Sequence, residues 1–165
     1  MSSSEQNLMN AFAGESQANR KYLAFAKKAE DEGYAQVAKL FRAAAAAETI
    51  HAHNHLRALG AVKSTKENLL AAISGESYEF QKMYPQMIAD AKAEGGQDYA
   101  LRSFNLANEV EKVHAALYQK ALESLGKNSS TDYYVCSVCG YTAEGEAPDD
   151  CPVCRAKKKA FMKAE

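Results

Sequence analysis

Four long segments of the chain repeat apolar residues at three- and four-residue spacing, the pattern of a helix with one face in a core. The first runs from about Glu5 to Glu32, with Leu8, Phe12, Glu15, Asn19, Tyr22 and Ala26 in its stripe; Ser4 is a candidate N-cap and Gly33 a stop. The second runs from about Ala35 to Gly60, with Val37, Phe41, Ala44, Glu48, His51, His55 and Leu59 in its stripe. Its alanine run at 43–47 favours helix and permits close packing. The third spans about Thr65 to Glu94, with Leu69, Ile73, Glu76, Phe80, Met83 and Met87; Pro85 removes a backbone donor and predicts a kink. The fourth spans about Gln97 to Leu125, with Leu101, Phe104, Asn108, Glu111, Ala115, Tyr118, Leu122 and Leu125, and Gly126 fits the position after its end. The break at Glu32-Gly33-Tyr34 is short, so the first two helices should be antiparallel neighbours.

Beyond Gly126 the periodicity stops. Residues 127–132 are polar and read as a flexible linker. From Tyr133 the chain carries Tyr-Tyr-Val-Cys-Ser-Val-Cys-Gly-Tyr, a turn-rich loop and Cys-Pro-Val-Cys, which fit short hairpins or knuckles better than helix. Residues 155–165 are basic, with Phe161 as the expected core anchor of this module.

Composition bounds the answer. A chain of 165 residues with 47% hydrophobic positions builds one domain, or one domain plus a small module. A net charge of -1 predicts neither a nucleic-acid footprint nor a membrane-surface patch. No apolar run approaches the ~18 residues of a membrane span. The N-terminus Met1-Ser-Ser-Ser-Glu-Gln lacks the basic and apolar regions of a secretory signal, so a cytoplasmic protein is expected. All four cysteines fall between Cys136 and Cys154, as two C-x-x-C pairs, which in such a compartment read as metal ligands rather than disulfides.

The candidate chemistry lies in the stripes themselves. Glu15, Glu48, Glu76 and Glu111 each sit mid-helix among apolar residues, and Glu48 and Glu111 carry His51 and His114 three residues on. At that spacing Glu and His share a helix face. Taken singly, each glutamate also reads as a solvated surface residue. A carboxylate buried alone loses its hydration, so four at matching positions call for compensating charge, which two divalent cations supply. Mixed oxygen and imidazole ligation with open positions suits iron or manganese. His55 falls on the stripe without a partner at ligand spacing and reads as a hydrogen-bonded histidine; His53 reads as solvated. Cys136, Cys139, Cys151 and Cys154 form a tetrahedral four-thiolate set that accepts zinc or iron. Gly140, after the second cysteine, permits a left-handed turn that aims N–H groups at sulfur.

Over its whole length the chain resembles the rubrerythrin family. Gly14-Glu15-Ser16, Glu48-x-x-His51, Gly75-Glu76-x-x-Glu79 and Glu111-x-x-His114 look like that family's di-iron ligands in order, and the cysteine motifs look like its rubredoxin-like tail. The resemblance implies a mainly α fold: a ferritin-like four-helix bundle over 1–126, a linker over 127–132 and a rubredoxin-like module over 133–165. It implies two irons held by Glu15, Glu48, His51, Glu76, Glu79, Glu111 and His114, and one iron held by the four cysteines. Glu48 and Glu111 are the implied bridges, and Glu79 and His51 the implied alternative ligands of one iron, in the oxidised and reduced states. Tyr22 and Tyr84 match tyrosines that hydrogen-bond the ligand carboxylates, although both also fit as ordinary stripe aromatics.

The implied activity is an oxidoreductase's: reduction of hydrogen peroxide to water at the end of an NADH peroxidase chain, in oxidative-stress protection. The implied electron donor is an external flavoprotein or rubredoxin, with no flavin, haem or NAD bound directly; no Gly-rich dinucleotide loop is present. A ferritin-like ferroxidase and a non-enzymatic zinc-binding protein are the other classes the residues admit.

Chain length raises one further expectation. In a ferritin-like bundle helices two and three run parallel, so the connection between them must return along the bundle. Glu48 lies ~18 Å of helix before Gly60, and Glu76 ~14 Å after the start of helix three, so the climb is about 30 Å. Residues 60–67 span at most ~25 Å. A homodimer that exchanges helices one and two for those of its mate resolves the shortfall; a helix two that unwinds early, near His55, is the other resolution.

Overall fold

The computed structural model describes residues 2–165. Its contacts divide the chain into two compact units that meet at Lys63–Ser64.

The first unit is a helical hairpin of α1 (Ser3–Asp31) and α2 (Ala35–Ala58). Its N-cap is Ser2 rather than the expected Ser4. Ser2 has a glutamate three residues on, so the Ser2 hydroxyl accepts from Glu5 N–H at 3.2 Å while Glu5 Oε2 accepts from Ser2 N–H at 2.7 Å. Ser4 has Asn7 at that position and cannot reciprocate as well. The turn at Gly33 is fixed by backbone geometry. Gly33 takes φ 84°, its N–H bonds Glu30 O, and Tyr34 N–H bonds Ala29 O, which closes the last turn of α1.

The hairpin is antiparallel, because its cross-contacts run in opposite order along the two helices. Glu30 meets Arg42, Tyr22 meets Phe41, and Asn19 meets Ala45 and Thr49. Asn19 is the buried polar residue of this seam, donating from Nδ2 to Ala45 O at 2.7 Å and Thr49 Oγ1 at 2.8 Å. Ala26, Ala38, Ala45 and Ala52 are buried, and their small side chains let the backbones approach.

The end of α2 decides one expectation. Gly60 N–H bonds Arg57 O at 2.9 Å and Ala61 N–H bonds Leu56 O at 3.0 Å, so the helix stays wound to Ala58 and does not unwind near His55. Only Leu59–Ser64 joins it to the next helix.

In the second unit, helix three arrives in three pieces: α3 (Thr65–Tyr78), a π turn (Glu79–Met83) and α4 (Tyr84–Glu94). The expected irregularity at Pro85 appears just ahead of it. Pro85 offers no N–H and its ring crowds the carbonyl of Gln81, so a wider turn is less unfavourable there. α5 (Asp98–Glu123) packs back along this helix, with Tyr84 against Phe104 at 6.3 Å and Glu76 near His114.

Three short strands follow: β1 (Tyr133–Cys136), β2 (Thr142–Glu144) and β3 (Phe161–Lys163), antiparallel in the order β2-β1-β3. Phe161 pairs with Cys136 and meets Tyr141 edge-on at 6.3 Å, as expected of an anchor. The expected flexible linker is tied at both ends. Asn128 Nδ2 donates to Ala121 O and Ser124 Oγ, and Asp132 accepts from Gly145 N–H and pairs with Lys163. No helix among the described residues is long and apolar enough to cross a membrane.

Asn19→Ala removes two hydrogen bonds from the α1–α2 seam and leaves the Thr49 hydroxyl without its donor. We expect a loss of about 1–3 kcal/mol in denaturant unfolding, whereas Gln6→Ala on the exposed face should leave the midpoint unchanged.

Candidate metal centres

Three clusters of metal-ligating side chains form among the described residues. In the first unit Glu15, Glu48 and His51 bring ligand atoms within 4.8 Å of one another. The α1–α2 seam sets this, since Asn19 locks α1 one turn beyond Glu15 to α2 one turn before Glu48. His51 Nδ1 lies 2.9 Å from Glu48 Oε2. Hydrogen bonds from His51 and then from the Glu15 carboxyl hold Glu48 below the usual carboxylate range. Two carboxylates in that contact share a proton or a cation. Tyr22 stacks in this unit among Phe25 and Phe41.

In the second unit Glu76, Glu111 and His114 converge in the same way. His114 Nδ1 is 2.8 Å from Glu111 Oε2 and 4.0 Å from Glu76 Oε1. Burial, then the hydrogen bond and charge of Glu111, push Glu76 up to about 7. Glu79, at the head of the π turn, is raised by burial and by Glu111. The Tyr84 phenol is raised by burial and by the charges of Glu111, Glu79 and Glu76, so Tyr84 and Glu79 share the electrostatic field of this cluster. Asn108, one turn before Glu111 on α5, has a buried carbonyl oxygen without a described partner. His53 is exposed and His55 half-buried, and neither joins a cluster.

The third cluster is Cys136, Cys139, Cys151 and Cys154, all reduced. Cys136 and Cys154 sulfurs are 3.6 Å apart, as are those of Cys139 and Cys151. A tetrahedral ion with bonds of about 2.3 Å to sulfur sets edges of ~3.8 Å, so these thiols fit one. Burial opposes ionisation of Cys136, but N–H donation from Val138 and Cys139 and the neighbouring thiols outweigh it and lower its pKa. Burial raises Cys139 and Cys154.

The two knuckles are built alike. Gly140 takes φ 85° and its N–H bonds Cys136 O at 2.8 Å; Arg155 takes φ 64° and its N–H bonds Cys151 O at 3.0 Å. Gly140 was expected there. Arg155 was not, because nothing local marks an arginine for the left-handed region; its position after the fourth cysteine, matching Gly140 after the second, was the available signal.

Sequence reading also missed what lies behind His114. Its Nε2 is 3.1 Å from Thr142 Oγ1 on β2, and a Val110 methyl lies 3.8 Å from where a Gly140 side chain would begin. Lys120 pairs with Glu144 further along α5. The cysteine hairpin therefore docks on α5 of its own chain.

The family model for rubrerythrin matches residues 6–122, and that for the rubrerythrin rubredoxin-like domain matches residues 134–162. The chain belongs to the rubrerythrin family. It is 37% identical to rubrerythrin-2 of Clostridium acetobutylicum, over 94% of this chain and 93% of that protein. It is 36% identical to nigerythrin of Nitratidesulfovibrio vulgaris, over 94% of this chain and 84% of that one. Among solved structures it resembles fully reduced, all-ferrous nigerythrin, with a TM-score of 0.61 and 35% identity over 99% of this chain and 88% of that one. The fold is thus mainly helical and ferritin-like with a rubredoxin-like module, and the chain carries the ligand groups of the rubrerythrin iron centres: glutamates and histidines for a di-iron pair, four cysteines for a single iron.

Arg155 holds a conformation that disfavours L side chains. Arg155→Gly should stabilise the metal-loaded module by about 0.5–1 kcal/mol and Arg155→Val should destabilise it by about 1–2 kcal/mol. The check is the temperature at which the thiolate-to-iron absorbance is lost.

Proposed function

We propose that the chain is a cytoplasmic non-haem di-iron peroxidase, an oxidoreductase that reduces hydrogen peroxide to water. Its electrons are delivered by an external flavoprotein or rubredoxin to the four-cysteine iron. The balance is one H2O2, two electrons and two protons giving two waters. The observation that carries this reading is His114: it belongs to a carboxylate–imidazole group and is hydrogen-bonded to the hairpin that bears the cysteines. A storage protein has no need of an electron relay beside its carboxylates.

In this reading Glu15, Glu48, His51, Glu76, Glu79, Glu111 and His114 hold the iron pair, with Glu48 and Glu111 shared between the two ions. Cys136, Cys139, Cys151 and Cys154 hold the third iron. When bound, the pair supplies two electrons together to the O–O bond, which avoids releasing a hydroxyl radical. The chain's own groups arrange the rest. Tyr84 keeps its phenolic proton at neutral pH, as an ordinary phenol does, and burial and the charges of Glu111, Glu79 and Glu76 only raise its pKa further. Glu79 opens a π turn, a conformation that gives its backbone room to shift. Such room suits a carboxylate that exchanges with His51.

Stopped-flow mixing of the all-ferrous protein tests this. Peroxide should oxidise both iron centres faster than oxygen does; faster oxidation by oxygen gives way to the ferroxidase reading, and a colourless cysteine site to the zinc-binding one.

The same reading places the two carboxylate groups of each centre on different chains of a homodimer. Glu48 stands ~15 Å of helix before Ala58 and Glu76 ~16 Å after Thr65. The seven steps from Ala58 to Thr65 reach at most ~25 Å, and the tight turn at Gly60 shortens them. The helical hairpin also exposes Leu23, Phe25, Val37, Leu40 and Ile50, an apolar set suited to a second copy. Refolding a mixture of Glu48→Ala and Glu111→Ala chains discriminates. Exchange of helices puts both lesions in one site of each mixed dimer and none in the other, so about a quarter of wild-type peroxidase activity should return. Without exchange every site keeps a lesion and none returns.

A further inference from the structure

We propose that Thr142 is the positioning residue of His114: a hydroxyl on the cysteine hairpin that fixes which imidazole nitrogen faces the carboxylates and links the two metal-ligand groups of one chain. The inference rests on the reading of His114 as a metal ligand.

The geometry assigns the proton. Thr142 Oγ1 lies 3.3 Å from Gly140 O, a carbonyl that can only accept, so the hydroxyl hydrogen has an acceptor on its own hairpin. With the hydroxyl hydrogen on that carbonyl, what Thr142 turns toward His114 is a lone pair, 3.1 Å from Nε2, and Nε2 is the donor of the pair. The neutral ring keeps its lone pair on Nδ1, which faces Glu111 at 2.8 Å and Glu76 at 4.0 Å. In that tautomer Nδ1 has no hydrogen to give Glu111, and a cation among the three groups takes that place. Thr142 thus biases His114 toward the tautomer that ligates through Nδ1, as outer hydrogen bonds do for metal-bound histidines.

The threonine is itself held firmly. It opens β2 and pairs with Val135 of β1, next to Cys136. Cys136 N–H bonds Tyr141 O at 2.9 Å, and Gly140 follows Cys139 directly. Val110 under Gly140 and Lys120 on Glu144 brace the same hairpin against α5, on either side of His114. A continuous path of bonds and two hydrogen bonds therefore runs from Cys139 through Gly140 and Thr142 to His114. The path lies within one chain, and its only replaceable hydroxyl is that of Thr142.

The test compares Thr142→Val, nearly isosteric without the hydroxyl, with Thr142→Ser, which restores it. With redox-silent zinc in the glutamate–histidine site, 15N NMR of the full chain should show a slowly exchanging Nε2 proton on His114 in the wild type and in Thr142→Ser. In Thr142→Val that proton should exchange rapidly, and the site's affinity, measured by chelator competition, should fall about 10–100-fold. Lys120→Ala, which loosens the same docking elsewhere, should retain the slow proton. Wild-type proton exchange and affinity in Thr142→Val would overturn the proposal, as would equal loss in Lys120→Ala, which would trace the effect to docking rather than to the hydroxyl. If zinc leaves the Nδ1 resonance of His114 unshifted, the ligand reading fails, while the Nε2 proton still reports on Thr142.

Discussion

Carboxylates held against one another at partly buried positions decide how the rest of this chain must be built. Glu76 beside Glu111, and Glu15 beside Glu48, are pairs of like charge whose oxygens converge within ligand distance. In the second pair burial, and after it the hydrogen bond and charge of Glu111, push Glu76 up to about 7. Nothing in hydrophobic packing rewards that arrangement. It persists because long helices, each with a seam continuing well past the carboxylates, hold the side chains where solvation alone would separate them. The cation that relieves the repulsion is therefore part of the energetics of the fold, and binding it stabilises whichever state presents the ligands together.

α5 is the element on which both metal chemistries converge. One of its faces carries Glu111 and His114 toward Glu76; another supports the hairpin through Val110, His114 and Lys120. His114 belongs to both faces because an imidazole has two nitrogens on opposite sides of a rigid ring. An ionised carboxylate has no hydrogen to give to a lone pair on Thr142, so it could not make this tether. The choice of histidine at this position follows from needing one ligand and one tether in the same side chain.

Much of this was legible in the sequence, and for identifiable reasons. The helices showed through their 3.6-residue stripes, and Glu15, Glu48, Glu76 and Glu111 stood out because charged residues interrupted those stripes at matching depths. The cysteine pairs needed only their spacing. What escaped notice depends on contacts between distant residues or on competition between near-equivalent ones. Thr142 lies 28 residues from His114, and no local pattern marks it as its partner. Ser2 and Ser4 are separated as caps only by which has a glutamate three residues on. The π turn ahead of Pro85 is a choice among ways to absorb a missing donor, and a kink was the other. The polar stretch at 127–132 looked flexible by composition, yet Asn128 and Asp132 are anchored by groups the periodicity does not rank.

The two Glu-x-x-His pairs, alike in sequence, differ in what holds their rings. His51 is 54% exposed in its side chain, and its described bond goes to Glu48 on its own helix. His114 is 26% exposed and is held at both nitrogens, by Glu111 on one side and by Thr142 on the other. A ring fixed at both ends is suited to remain a ligand through a change of charge on the metal. A ring restrained at one nitrogen can swing away for little cost, because only one hydrogen bond and some rotamer freedom are at stake. Glu79 opens a π turn, which gives its backbone room to shift, and in the proposed function it is the carboxylate that exchanges with His51. The division of labour proposed for the two histidines thus has a physical source outside the repeated motif, in the hairpin that one of them touches.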